Sequence, residues 1–183
     1  MALIKTELEI ERIRNSSLLV GKTIAEVARH IKPGVTTLAL DKIAEEFIRD
    51  HKAKPAFKGY HGYPATLCIS VNEIVVHGIP GKRELKEGDL VSIDCGTVID
   101  GYYGDSAFSF GIVPMATEVE LLMQRTHQSL LKSIASVTAG KRVGDIGYEV
   151  QTYVESFGYS VVRDLVGHGL GNSLHEKPEV PNY

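Results

Sequence analysis

Apolar residues recur along this chain with two periods, and the switch between them marks out its elements. Ile10, Ile13, Leu18 (or Ser17), Val20, Ile24, Val27 and Ile31 follow a helical spacing. Thr6 with Glu9 three residues later has the form of a capping box at the start of that helix, and Pro33-Gly34 ends it. Thr36 or Thr37 caps a second helix, with Leu40, Ala44, Phe47 and Ile48 as its inner face. Residues 52–65 (KAKPAFKGYHGYPA) read as a loop, residues 66–71 as a strand, and residues 75–80 as the exit from a turn. Two β-rich runs follow, 90–97 and 102–110, around Asp100-Gly101, a dipeptide that favours a tight hairpin turn.

After Pro114 the pattern starts again. Thr117 and Glu120 form another capping box, and Leu121, Leu122, Leu130, Leu131, Ile134 and Val137 continue a long helix to Ala139-Gly140, with Arg125 and Gln128 outside. Asp145 caps a fourth helix, with Ile146, Val150, Val154 (or Tyr153) and Phe157 inside and Gly158 past its end. Residues 159–166 read as a strand. Helix, glycine break, helix, strand thus occurs twice, as in two halves related by pseudo-symmetry. The first half, about 1–113, runs on into the hairpin. The second, about 114–183, reaches His168 and ends at Tyr183 with no hairpin of its own. The expectation is one domain over residues 1–183, α+β in class, with its second half lacking the final strands.

Composition narrows the function. At 183 residues, 43% hydrophobic and 23% charged, the chain has ordinary globular composition and enough length for a core. A net charge of −3 without a long basic run argues against nucleic-acid specificity. No apolar stretch approaches the ~18 residues that span a membrane, and MALIKTELEIERIR is too acidic and too helical for a leader. Cys68 and Cys95 are too few, and too deep in apolar strands, for a disulfide scaffold. A cytoplasmic location is expected.

The chemistry centres on the hairpin. With Asp100-Gly101 as the two-residue turn, Asp94 faces Ala107; with the turn one residue earlier, it faces Asp105. Both registers have the same parity, so Asp94 and Asp105 share one face of the sheet. Two carboxylates held a few ångström apart repel, and either one keeps a proton or a multivalent cation lies between them. The competing expectation leaves both aspartates at strand ends facing water.

Histidines bear on that choice. His168 lies between Gly167 and Gly169 after the predicted strand, where the backbone can turn sharply. His175 and His77 sit at strand or loop ends, where an imidazole can hydrogen-bond a substrate carbonyl or amide. His61 reads as readily as a loop residue. His175-Glu176 does not open a zincin helix, because no second His follows and Pro178 intervenes. No dinucleotide or phosphate loop and no nucleophile elbow is present. Two Asp and one His suit a hard divalent ion such as Mn²⁺ or Fe²⁺.

Taken together, several stretches resemble the type I methionine aminopeptidases. They are Pro33-Gly34-Val35-Thr36-Thr37, Gly59-Tyr60-His61-Gly62-Tyr63-Pro64, Cys68-Ile69-Ser70-Val71-Asn72-Glu73, His77-Gly78-Ile79-Pro80, Gly88-Asp89, Ile93-Asp94, Gly104-Asp105 and Gly167-His168-Gly169. The match runs in order over essentially the whole chain. It implies a pita-bread fold, with two αβ halves around a curved antiparallel sheet and a dinuclear site of Mn, Fe or Co, with Zn also admitted. Asp94, Asp105 and His168 match three of the family's five metal ligands. His77 and His175 match the catalytic histidines that contact the scissile amide and its carbonyl. Phe57, Tyr60, Tyr63 and Cys68 fall on the wall of the methionine pocket, and a monovalent cation is expected near Asn72. The implied reaction removes the initiator methionine from nascent polypeptides, by a metal-bridging hydroxide with a carboxylate as proton shuttle. A transient ribosome contact is implied with it.

Two features depart from the family pattern. Leu174 stands where an aromatic usually precedes the second histidine, which leaves the wall less aromatic. The strands that carry two Glu ligands and the shuttling carboxylate have no counterpart within residues 1–183, and Glu176 and Glu179 lie too close to His168 along the chain to replace them. The 183-residue polypeptide is therefore expected to be inactive by itself. The alternative is a non-catalytic pita-bread module that binds peptide or protein; against it, Asp94, Asp105 and His168 all stand.

Overall fold

A computed structural model describes residues 4–183; residues 1–3, the start of the stretch weighed against a leader, lie outside the described residues. Two compact units divide the chain, one of Ile4–Ala116 with Leu170–Leu174, the other of Thr117–Gly169 with His175–Tyr183. Both combine helices with antiparallel strands. Among the described residues no helix is long and apolar enough to cross a membrane.

In the first unit, α1 (Glu7–Ala28) begins with the predicted capping box: Glu9 N–H donates to Thr6 Oγ1 at 3.3 Å, and Thr6 N–H donates to Glu9 Oε2 at 2.8 Å. Its buried stripe is Ser16, Leu19, Val20, Thr23, Ile24 and Val27, which corrects the predicted face. Leu18 and Ile10 are exposed. Counting back by helical turns from Val27 and Val20 lands on Ser16 rather than on either alternative, and a hydroxyl there has a specific use. Ser16 Oγ donates to Thr97 O at 2.9 Å, and Thr97 Oγ1 donates to Ser16 O at 3.0 Å. Helix and sheet are bonded backbone to side chain in both directions. Helix α2 (Thr37–Asp50) is capped by Thr36, whose hydroxyl accepts from Ala39 N–H, and buries Leu40, Ala44 and Ile48 as predicted.

These helices cover one face of a four-stranded sheet. Strands β2 (Leu67–Val71) and β3 (Leu90–Ile99) pair antiparallel, and β4 (Tyr102–Gly111) pairs with the opposite edge of β3. Within the predicted loop 52–65 a two-residue strand, β1 (Lys54–Pro55), joins β3 at Thr97 and Val98, and Tyr60–Gly62 form one 3₁₀ turn. The hairpin turns at Asp100 and Gly101, with φ of 51° and 79°, the left-handed pair that a two-residue turn requires. Odd-numbered Val91, Ile93 and Cys95 join Leu67, Ile69, Val71, Leu40 and Val20 in the core, so the even-numbered residues of β3 point away from it.

The second unit pairs α3 (Thr117–Ser136) with α4 (Val143–Glu155) and a short ladder of β5 (Gly167–Gly169) and β6 (Glu176–Val180). Here the sequence pattern misleads in five places. The buried residues of α3 are Ser129 and Ser133, while Leu122, Leu130, Leu131, Ile134 and Val137 are exposed. Small hydroxyl residues can return their polar group to the helix itself, and Ser129 and Ser133 donate to Thr126 O and Leu130 O at 2.8 Å. Asp145 is not the cap of α4 but lies three residues inside, its carboxylate accepting from Arg142 N–H at 2.8 Å. Residues 159–166 form no strand; β propensity without a neighbouring ladder does not make one. Finally, the tail predicted to lack a hairpin folds back as β6, with Glu179 opposite His168. Val154 is buried in α4 as predicted, and Phe157 is exposed. Its ring carries the Arg125 guanidinium 3.9 Å from the centroid.

Gly104 decides how closely α1 approaches the hairpin. A Cβ there would lie 2.5 Å from Ser17 N and 2.6 Å from Ser16 C, both backbone atoms that cannot swing aside. Gly104→Ala should therefore lower the stability of the chain by about 1–3 kcal/mol, read as an earlier urea midpoint. An unchanged midpoint would show that α1 is not seated on β4 in this way.

Candidate metal centre

The hairpin register puts Asp94 opposite Ala107 and Asp105 opposite Gly96, the first of the two registers the turn allows. The aspartates are diagonal neighbours on the face turned away from the helices. The same face carries Cys68, opposite Asp94 across β2, and the pair Ser92 and Ser109, whose hydroxyls are 2.8 Å apart. Gly96 is the gap in this row. A Cβ there would meet the Phe57 ring at 2.5 Å and Ala56 Cβ at 2.8 Å, so the loop before β2 closes over the hairpin beside Asp105.

Both aspartates are half-buried. Burial first, then the charge of Asp105 and a hydrogen bond between the two carboxyls, together push the Asp94 carboxyl up to about 7, against a weaker pull from the Cys95 N–H. Near neutral pH the pair accommodates a single proton between two carboxyl groups. A divalent cation supplies the missing positive charge with more of it, and hard carboxylate oxygens are the donors such an ion prefers. The donor set fits a metal on chemical grounds.

An apolar wall stands beside the pair. Ala56, Phe57, Cys68 and Leu174 form a buried cluster separate from the main core, with Tyr63, Val98 and Tyr103 packed against it. Leu174 is brought there by the segment Leu170–Leu174, where Gly171 O accepts from Tyr103 N–H at 2.8 Å. Of the predicted wall residues, Phe57, Tyr63 and Cys68 come together, whereas Tyr60 is exposed and its ring stacks edge-on with His61 at 4.4 Å. Burial pushes the Cys68 thiol up to about 11, with the Tyr63 hydroxyl drawing it down and the Asp94 charge adding to the rise. Ala56, Val98 and Tyr103 are wall residues that the sequence analysis missed. Val98 and Tyr103 were within its reach, because each shares parity with the aspartate on its own strand.

Among the histidines, His77 is exposed in the turn after β2, with φ of 59°. It is fixed by its neighbour: Gly78 O accepts from Ile69 N–H at 2.8 Å, and Gly78 N–H donates to Ser70 Oγ at 3.2 Å. In the second unit His168 lies in β5, with His175 4.2 Å away ring to ring. His168 Nδ1 is 3.0 Å from Gly169 O. A carbonyl only accepts, so Nδ1 carries the hydrogen and the lone pair of the neutral ring is on Nε2, the arrangement of a metal-binding imidazole. Among the described residues no three His, Cys, Asp or Glu side chains are gathered so as to hold a metal ion. Asn72, also in the left-handed region, donates to Asp89 Oδ1 and accepts from Leu90 N–H, at 2.8 and 2.9 Å.

The raised carboxyl has a signed consequence for stability. Between the ordinary value of 3.8 and about 7 the folded chain holds a proton that the unfolded chain has released. This contribution to stability is complete below the lower value and is lost as pH rises through the upper one. With a chelator present, the urea midpoint of the wild type should fall relative to that of Asp105→Asn between pH 5 and 7.5, and Mn²⁺ should recover it at pH 7.5. Parallel pH profiles for the two proteins would show that the carboxylates do not interact.

Comparison with known proteins agrees with this geometry. Residues 11–183 match metallopeptidase family M24. A methionine aminopeptidase of Clostridium acetobutylicum is 50% identical over 184 residues, covering 100% of this chain and 74% of that protein. The crystal structure of methionine aminopeptidase from Thermotoga maritima superposes with a TM-score of 0.98 at 42% identity, over 100% of this chain and 74% of the other. The prolidase from Pyrococcus furiosus shares the fold at a TM-score of 0.88 and 21% identity, over 98% of this chain and 52% of its own. The fold is thus α+β and of the pita-bread type, and the chain belongs to metallopeptidase family M24.

Proposed function

We propose that this protein is a divalent-metal-dependent aminopeptidase that removes the initiator methionine from nascent polypeptides in the cytoplasm, with residues 1–183 contributing to a single catalytic domain. The observation that carries this is the aspartate pair set beside an apolar wall: one can hold a cation, the other an unbranched apolar side chain. Support comes also from relatives named methionine aminopeptidase at 40–50% identity.

Asp94, Asp105 and His168 are the metal ligands in this proposal, and Mn²⁺, Fe²⁺ and Co²⁺ suit their mixed oxygen and imidazole set, with Zn²⁺ also admitted. Bound divalent ions would supply Lewis-acid polarisation and an activated water. The chain's own residues bind and orient. Phe57, Tyr63 and Cys68, with Leu174, hold the methionine side chain, and Tyr60 closes its outer side. His77 holds the scissile amide, and His175 donates a hydrogen bond to the carbonyl oxygen as negative charge develops there. A monovalent cation near Asn72 would draw on backbone carbonyls, since the Asn72 amide oxygen already accepts from Leu90 N–H. The emerging peptide is the partner, and a transient ribosome contact would bring it. A module that only binds peptide has no need of Asp94, Asp105 and His168 together, so the enzymatic function is preferred.

Polypeptide 1–183 alone should release no methionine from Met-Ala-Ser with Mn²⁺ or Co²⁺, because among the described residues no three His, Cys, Asp or Glu side chains are gathered so as to hold a metal ion. A chimaera that joins residues 1–183 to the segment following the matched part of the Clostridium relative should release it. In that chimaera His175→Ala should lower kcat with little change in metal content, by the roughly 2–4 kcal/mol that an oxyanion hydrogen bond is worth. Full turnover by residues 1–183 alone, an inert chimaera, or a kcat within tenfold after His175→Ala would each overturn the corresponding part of the proposal.

A further inference from the structure

Helix α2 carries two carboxylates one turn apart, Asp41 and Glu45, and neither belongs to the aspartate face of the hairpin. Asp41 is 5% exposed. Its Oδ1 accepts from two successive backbone groups, Thr66 N–H at 2.9 Å and Leu67 N–H at 2.8 Å. Glu45 reaches the same segment a few residues earlier, taking Lys58 Nζ at 2.6 Å. The helix therefore grips the chain directly after Phe57 and directly before Cys68.

The far side of the Leu67 peptide is held as well. Tyr63 Oη donates to Leu67 O at 2.9 Å and to Gly78 O at 3.1 Å. One residue is thus pinned through its N–H by Asp41 and through its carbonyl by Tyr63. A strand entrance does not need this. Turn carbonyls or water satisfy such N–H groups elsewhere, and a buried carboxylate is a costly acceptor unless its placement matters. The residue that follows the pinned peptide is Cys68, opposite Asp94 and in contact with Phe57 and Leu174.

We infer that Asp41 is a positioning residue for the apolar wall: by holding the Thr66 and Leu67 N–H groups it fixes where Cys68 and Tyr63 stand relative to Asp94, and with Glu45 and Lys58 it makes α2 the frame of the pocket. The functional consequence rests on the proposal that this wall receives a methionine side chain. The positioning itself can be tested without turnover.

The test uses the 183-residue chain and its two thiols. Both are buried, Cys95 in the main core and Cys68 in the wall, so alkylation of each reports how often its surroundings open. Maleimide labelling of Cys68, located by peptide mass, should be at least about tenfold faster in Asp41→Leu, which keeps the branched outline of the side chain and removes the acceptor. In Asp41→Asn, where a neutral oxygen accepts more weakly, it should be about threefold faster. Cys95 should keep its wild-type rate in both. Cys68 at the wild-type rate, or both cysteines accelerating together as in general loosening, would overturn the inference. If Asp41→Leu does not fold, the Asp41→Asn rates decide in the same way. L-methionine amide is the probe of the pocket: it should slow Cys68 labelling in the wild type and lose that effect in the Asp41 variants. The predicted rates without any protection by this probe would sustain the positioning role and refute the methionine pocket.

Discussion

Two like charges held on one face of a hairpin are the constraint from which the site follows. Asp94 and Asp105 cannot move apart, because their separation is set by a ladder that runs unbroken from Leu90 and Gly111 to Ile99 and Tyr102. Nor can the ladder slip. A shift of one residue would carry Val91, Ile93 and Cys95 out of the core and turn Asp94 into it. Burial of one face thereby enforces repulsion on the other, and the fold stores an electrostatic cost that a cation relieves.

The rest of the first unit braces this arrangement from behind and from the side. Behind, α1 is seated on the hairpin through Gly104 and through the reciprocal Ser16–Thr97 bonds, all on the core-facing side of the hairpin. At the side, the loop before β2 folds over Gly96 and delivers Phe57, while Asp41 and Tyr63 pin the entrance to β2. Rigid strands thus carry the carboxylates and one side of the apolar wall, Cys68, Val98 and Tyr103, while a tethered loop adds Phe57 and Tyr63. That division suits a site whose charged part must not relax but whose apolar part must admit a side chain.

Much of this was legible in the sequence because the first unit obeys local rules. The capping box at Thr6, the Asp100-Gly101 turn and the alternation in β3 each predict the structure at their own positions, and parity alone pairs the aspartates. Apart from the face of α1, where Ser16 takes the place of Leu18, the failures cluster in the second unit and share a cause there. Leu130, Leu131 and Ile134 look like a buried stripe and residues 159–166 look like a strand, yet each pattern is realised only where another surface or ladder meets it. Ser129 and Ser133 show the reverse: they are buried without an apolar side chain, through hydroxyls bonded within their own helix. The wall was half legible. Phe57, Tyr63 and Cys68 were recognisable through a family resemblance, but Tyr60 stands apart from them, and the part played by Asp41 depends on a helix-to-strand contact that no local pattern encodes.

In the proposed site one proton and one cation compete for the same pair of carboxylates. This competition is tested most directly by counting protons released when Mn²⁺ is titrated into the chain at pH 6, using calorimetry in buffers of different ionisation enthalpy. About one proton should be released per bound ion, and that release should disappear in Asp105→Asn. Binding with no proton release, or with the same release after that substitution, would contradict the competition.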